Sequence, residues 1–233
     1  MSLISDNLTI LRARLKEACH QSARTPETVR LLAVSKNFGG ESVRAAMAAG
    51  QTEFGENYVQ EALEKIMALN GSGAIWHFIG PIQSNKTRDI AEHFDWVQSV
   101  DRLKIAQRLS EQRPEHLPPL NVCVQVNISG ETSKSGCTPN EAVALCQSIS
   151  VLHRLKLRGL MAIPAPAIGT SDPRTPFRAL NELFEKIRRS DIGIGAEFDT
   201  LSAGMTNDFA AAIAEGSTMV RIGTAIFGSR DAH

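Results

Sequence analysis

Eight short apolar runs alternate with amphipathic segments along this chain, and that alternation constrains the fold more than any other feature. The runs are "RLLAVSK", "QTEFGEN", "AIWHFIG", "DWVQSV", "LNVCVQVNI", "LKLRGLMAI", "EFDTLSA" and "TMVRIGTAIFG". Between them lie segments with helical spacing, such as "ESVRAAMAAG" ending at the helix-stopping Gly50, "YVQEALEKIMAL" and "RTPFRALNELFEKIRRS". Asp101 is expected to cap the helix "RLKIAQRLSEQ". Continuous apolar strands are those of a parallel sheet covered on both faces. Eight of them close most simply as an α/β chain folded into a single (β/α)8 barrel of the TIM type, for which 233 residues is near the short end. The rival, an open doubly wound sheet, would place a glycine-rich turn after an early strand; "SKNFGG" is not that turn.

No linker rich in Gly, Ser or Pro divides the chain, so one domain over 1–233 is expected. Little follows the eighth strand, and its usual helix is expected to be missing. A helix over 3–22, with Leu8, Leu11, Leu15 and Ala18 on one face, would fill that gap in the outer ring.

Lys+Arg and Asp+Glu both number 25, a neutral balance that argues against a dedicated nucleic-acid binder. Cys19, Cys123, Cys137 and Cys146 form no C-x-x-C pair, which points to reduced structural thiols in a cytoplasmic protein and to no metal. Neither a signal peptide nor a membrane span is expected.

In such a barrel the active groups lie at the C-terminal ends of the strands. That places Lys36 after the first strand, Glu56 and Asn57 after the second, and Asn127, Ser129 and Lys134 after the fifth. Ser202 and Gly204 follow the seventh, and Arg221, Gly223 and Thr224 end the eighth. The loops after strands seven and eight often build a phosphate site, where small residues let backbone N–H groups approach and hydroxyls add donors. A lysine facing a phosphate cradle suggests pyridoxal 5′-phosphate (PLP), held as a Schiff base on the amine. Arg221 would then face the pyridine nitrogen; having only donors, it would keep that nitrogen unprotonated and the ring a weaker electron sink.

The motifs "LLAVSKNF", "FGENYVQEA", "WHFIGPIQSNK", "SKSGC", "LRGLMAIP", "LSAGMTNDF" and "MVRIGTAIFG" make the chain resemble the pyridoxal-phosphate homeostasis protein family, the proline-synthetase co-transcribed or alanine-racemase-like barrel proteins. The resemblance covers nearly the whole chain. It implies a fold-type III barrel with the cofactor on Lys36, Asn57 beside the ring, Arg221 at the ring nitrogen, and phosphate contacts from Ser202, Gly223 and Thr224. It also implies buffering or delivery of the cofactor within the cell, to apo PLP-dependent enzymes, without efficient turnover.

Each residue also has a plainer reading. A strand-end lysine can simply reach solvent, Asn57 can cap a helix, and Ser202 to Gly204 can be a turn whose Thr206 or Asn207 caps the next helix. Arg221 in an apolar strand needs a partner, either an internal carboxylate or a ligand. His77 reads as a hydrogen-bonded core residue. Lys134 reads as a surface lysine or a second amine for the cofactor, and "NKTRD" as a solvated helix face. The rival function is a PLP-dependent amino-acid racemase, which needs an acid/base group on each face of the substrate carbon. In alanine racemases the second is a tyrosine, and a C-terminal β domain makes the dimer. This chain is expected to lack that domain and to be a monomer, and its only tyrosine, Tyr58, matches no such motif. An interaction module without cofactor would leave Arg221 and the glycine loops unexplained.

Overall fold

The computed structural model describes residues 3–131, 134–164, 172–190 and 194–228. Eight parallel strands close a barrel in sequence order: β1 (Arg30–Val34), β2 (Glu53–Glu56), β3 (Ile75–Phe78), β4 (Trp96–Val100), β5 (Leu120–Gln125), β6 (Leu155–Met161), β7 (Thr200–Ser202) and β8 (Met219–Ile222). Closure is made by β1 on β8, with Leu32 opposite Arg221. The outer ring is α1 (Leu3–Gln21), α2 (Gly40–Ala48), α3 (Val59–Ala68), α4 (Thr87–His93), α5 (Leu103–Gln112), α6 (Pro139–Ser150), α7 (Thr175–Arg188), α8 (Phe209–Ala214) and α9 (Thr224–Phe227). The expected single domain over 1–233 runs into segments outside the described residues.

Two expectations are corrected. The connection after β8 is not bare: the single turn α9 stands there, and α1 packs beside it, Asn7 donating to the Ile226 carbonyl at 2.9 Å. Asp101 does not cap α5. Arg102 occupies the cap, and the Asp101 carboxylate is taken up by the Arg102 guanidinium at 2.6 Å. By contrast, Thr138 and Glu141 form a reciprocal capping box at the start of α6.

The main apolar core lies between strands and helices, where each strand's outward residues meet one stripe of each helix. The barrel interior is a separate, sulfur-rich and polar layer. Trp96, Cys123 and Met161 pack there, and His77, Gln98, Ser202 and Arg221 are buried beside them. Branched aliphatic residues usually fill this space, so the polar content is a departure that asks for a use. The cysteines are buried and free. Burial pushes the thiols of Cys123 and Cys137 up to about 12, so they are not reactive thiolates near neutral pH. Among the described residues no helix is long and apolar enough to cross a membrane.

Candidate functional site at the barrel mouth

A cleft of about 730 Å³ opens at the C-terminal ends of the strands. Lys36, Asn57, Arg221, Gly223 and Thr224 all line it, although β1, β2 and β8 deliver them from distant parts of the sequence. Lys36 stands two residues past the end of β1, half-buried, on a turn rather than on the strand itself. Its neighbour Asn37 has φ 64°, a left-handed conformation that asparagine tolerates. Apolar walls come from Val34, Phe38, Ile79, Ile163 and Phe177.

Asn57 follows β2 directly. Gly80 is what permits its position: a Cβ there would stand 2.2 Å from the Asn57 carbonyl oxygen. The side-chain Oδ1 of Asn57 is buried at the cleft wall with no hydrogen-bond partner. An unpaired buried acceptor costs free energy unless a ligand supplies the donor.

Arg221 is 4 % exposed. Its partners are neutral: NH1 donates to Ser202 Oγ and NH2 to the Ala162 carbonyl, each at 2.8 Å. The carboxylate or ligand expected from the sequence is thus not what fixes it inside the fold. Burial lowers the guanidinium to about 10, with Asp208 acting against the shift, and it stays charged at neutral pH. Two of its N–H groups are used inward, and the planar fork has five, so donor capacity remains for an acceptor in the cleft.

Ser202 and Gly204 stand behind the cleft rather than on its wall, Ser202 in contact with Arg221. Both are buried and neither lines the cleft. Ser202 Oγ donates to Gln98 Oε1 at 2.6 Å while accepting from Arg221, so its one proton points into the barrel. Gly204 has φ 98°, and a Cβ there would meet the Ala212 Cβ at 2.7 Å; it packs the strand-to-helix turn against α8. In their place Thr206 reaches the mouth, its hydroxyl 3.2 Å from that of Thr224. Asp208, which precedes α8, accepts from the Met205 N–H at 2.6 Å.

The remaining candidates lie elsewhere. His77 is a buried core histidine stacked on Trp96, as its surroundings in sequence suggested. Glu56 is wholly buried and belongs to an ion cluster behind Lys36, described below. Asn127 donates to the carbonyls of Glu131 and Lys134, and neither Ser129 nor Lys134 lines the cleft. Within "NKTRD" the charged Lys86, Arg88 and Asp89 are exposed or partly exposed, as expected, while Thr87 between them turns inward and is buried.

Tyr58 is 57 % exposed and does not line the cleft. Sequence reasoning missed Gln98, Thr206 and Asp208. Gln98 had a signal, a polar residue in the middle of the buried strand "WVQSV"; Thr206 and Asp208 lie in a loop, where polarity carries little information.

Comparison with known proteins agrees with this architecture. Residues 7–231 match the family described as "Alanine racemase, N-terminal domain". The "Pyridoxal phosphate homeostasis protein" of Pseudomonas aeruginosa is 57% identical, over 99% of this chain and 97% of that protein. The protein of the same name from Escherichia coli is 49% identical, over 99% and 98%. PipY of Synechococcus elongatus, solved with PLP bound, superposes with a TM-score of 0.82 at 33% identity, covering 97% of this chain and all of that one. Alanine racemase of Corynebacterium glutamicum shares the fold, with a TM-score of 0.69 at 18% identity; 96% of this chain matches 59% of that one.

Proposed function

The chain belongs to the alanine racemase N-terminal domain family, and within it to the pyridoxal phosphate homeostasis proteins; from that premise we propose that it binds PLP reversibly at the barrel mouth and buffers or delivers it. The single observation that carries this reading is an amine and a buried cation lining the same cleft, Lys36 just after β1 and Arg221 from the adjoining β8. The residues fit the cofactor. Asn57 offers an unpaired acceptor, Arg221 keeps free donors, and Gly223 with the hydroxyls of Thr224 and Thr206 forms the polar rim suited to a phosphate. PLP supplies a reactive aldehyde there. Lys36 would hold the aldehyde reversibly through its amine.

Arg221 would present donors and a fixed charge to the ring of a bound cofactor, which would keep the pyridine nitrogen an acceptor and weaken carbanion chemistry. Among the described residues the cleft wall carries one lysine and one carboxylate, and one oxygen of that carboxylate, Asp208 Oδ1, accepts from a backbone N–H. The sole tyrosine is not part of it. These features support a carrier without efficient turnover over a racemase. The reading takes the barrel as one PLP-binding unit acting as a monomer, with apo PLP-dependent enzymes as recipients. A cytoplasmic location suits its free, buried thiols.

The test runs two assays side by side: transfer of PLP to a cofactor-free aminotransferase, and exchange of the α-proton of L- and D-alanine in heavy water followed by NMR. Transfer outpacing exchange is expected. Rapid exchange with both enantiomers, lost in Lys36→Ala, overturns the carrier reading in favour of a racemase.

A further inference from the structure

Lys36 lies between two residues that a single ion cluster holds from outside the barrel. On one side, Ser35 Oγ donates to Glu56 Oε1 at 2.6 Å, and Lys65 Nζ donates to the Ser35 carbonyl at 2.8 Å. On the other, the Asn37 N–H donates to Glu61 Oε1 at 2.6 Å. Lys65 joins the halves, 2.8 Å from Glu56 and 2.6 Å from Glu61. Its side chain is 5% exposed, that of Glu56 0% and that of Glu61 28%.

Two observations show that this cluster is more than filler. Lys65 occupies the apolar phase of α3, in line with Val59 and Ala62, where an aliphatic residue would pack without desolvating a charge. A buried ion pair is weak evidence for stability, because well-packed apolar residues often do as well or better. The turn itself also borders a hollow on its outer side. That hollow, of about 310 Å³, is lined by Phe38 and Ala68 as well as by Asn37, Glu61, Glu64 and Lys65. Polar contacts to Ser35 and Asn37 therefore hold the backbone on this open side, beside the packing of Phe38 on Phe227.

We propose that Glu56, Lys65 and Glu61 are positioning residues for Lys36, fixing the backbone on both sides of it so that its amine enters the cleft along one direction. The proposal rests on the reading of Lys36 as the lysine that bonds the cofactor. A long flexible side chain reaches a reactive geometry often only when its base is held, since small misplacements weaken a bond-forming step steeply.

The test compares two ligands on the purified protein. PLP bonds to lysine; pyridoxamine phosphate carries an amine in place of the aldehyde and binds without bonding. Glu61→Ala is the informative variant, because Glu61 is partly exposed and its loss leaves the Glu56–Lys65 pair intact. Its equilibrium constant for the borohydride-reducible adduct is expected to fall about tenfold while pyridoxamine phosphate affinity stays within about twofold. Glu61→Gln, whose amide oxygen still accepts from Asn37, is expected to recover most of the loss. Unchanged adduct formation in Glu61→Ala, or equal losses for both ligands, overturns the proposal. Mass spectrometry of the reduced wild-type protein separates this from the underlying reading: an adduct on another lysine overturns the role of Lys36 before any variant is compared.

Discussion

Ser202 holds Arg221: its Oγ accepts from the guanidinium at 2.8 Å and hands its own proton to Gln98 at 2.6 Å. The contact is the upper end of a polar chain through the barrel. Gln98 Nε2 can only donate, so His77 Nδ1, 2.9 Å away, accepts, and the ring proton sits on Nε2. That nitrogen is 3.1 Å from Glu53 Oε2, a close contact off the line of a well-formed hydrogen bond. Every donor points the same way, from the cation at the mouth toward the carboxylate at the base. Bonds aligned like this polarise one another in a dry interior.

Replacing Ser202 with alanine strands both of its partners. Gln98 Oε1 loses a donor and Arg221 loses an acceptor, both at buried side chains. The expected cost is about 1–3 kcal/mol of stability, read from urea denaturation of the ligand-free protein. A change within about 0.5 kcal/mol, as surface substitutions give, would show that the chain is not structural.

Lys36→Ala is expected to abolish the borohydride-reducible adduct. Its side chain lies at the cleft and takes no place in the buried core, so circular dichroism and the denaturation midpoint should stay near wild type. A persisting adduct in this variant would move the assignment to another amine.

The phosphate rim has a hydroxyl test. Thr206→Ala with Thr224→Ala removes two hydroxyls at the mouth, and hydrogen bonds to charged groups contribute about 1.5–3 kcal/mol each. PLP affinity is expected to fall roughly tenfold or more, while pyridoxal without its phosphate is little affected. Equal losses for both ligands would place the phosphate elsewhere.

Gly204→Ala should be destabilising for a backbone reason. At φ 98° an added methyl meets Ala212 and the Phe209 backbone, and strain of this kind costs of order 1–3 kcal/mol. The thermal midpoint of the variant gives the answer, and one unchanged from wild type would mean that the turn relaxes.

Acid should unfold the protein in stages. Burial holds His77 below its ordinary 6.5, with Glu53 opposing. Glu53 and Asp199 are themselves depressed: burial would raise both, but it is outweighed by His77, Arg30 and Arg158 together at Glu53, and by Arg158, Thr200 and Arg30 together at Asp199. All three signs agree. A group depressed in the folded state contributes stability that is present above its unfolded value and lost as pH falls through the folded one. Stability should therefore begin to drop below about pH 6.5 through His77, and further below about 4.5 through the carboxylates. Denaturation series from pH 8 to 3 check this, and the first stage should be absent in His77→Gln.

Period and punctuation made the barrel legible, since apolar runs and turn residues are local signals. So were the residues that end β1 and β8, because strand ends in a parallel barrel share one face. The fate of Ser202 was not legible. Whether a hydroxyl faces a ligand or a neighbouring strand depends on Gln98, more than 100 positions away and joined to it only by closure. Lys65 was hidden for the same reason: helical spacing puts it on the buried face, but only the fold shows that Ser35, Glu56 and Glu61 converge on it.

Closure of the barrel by β1 against β8 has a consequence for synthesis on the ribosome. Leu31 and Leu32 pair with Val220 and Arg221, so one edge of the first strand must wait for the last. At about 5–20 residues per second that wait is on the order of ten seconds or more. During it, an apolar strand displays unpaired backbone groups to any passing chain. Slower translation lengthens that exposure, and with it the opportunity for the nascent polypeptide to aggregate.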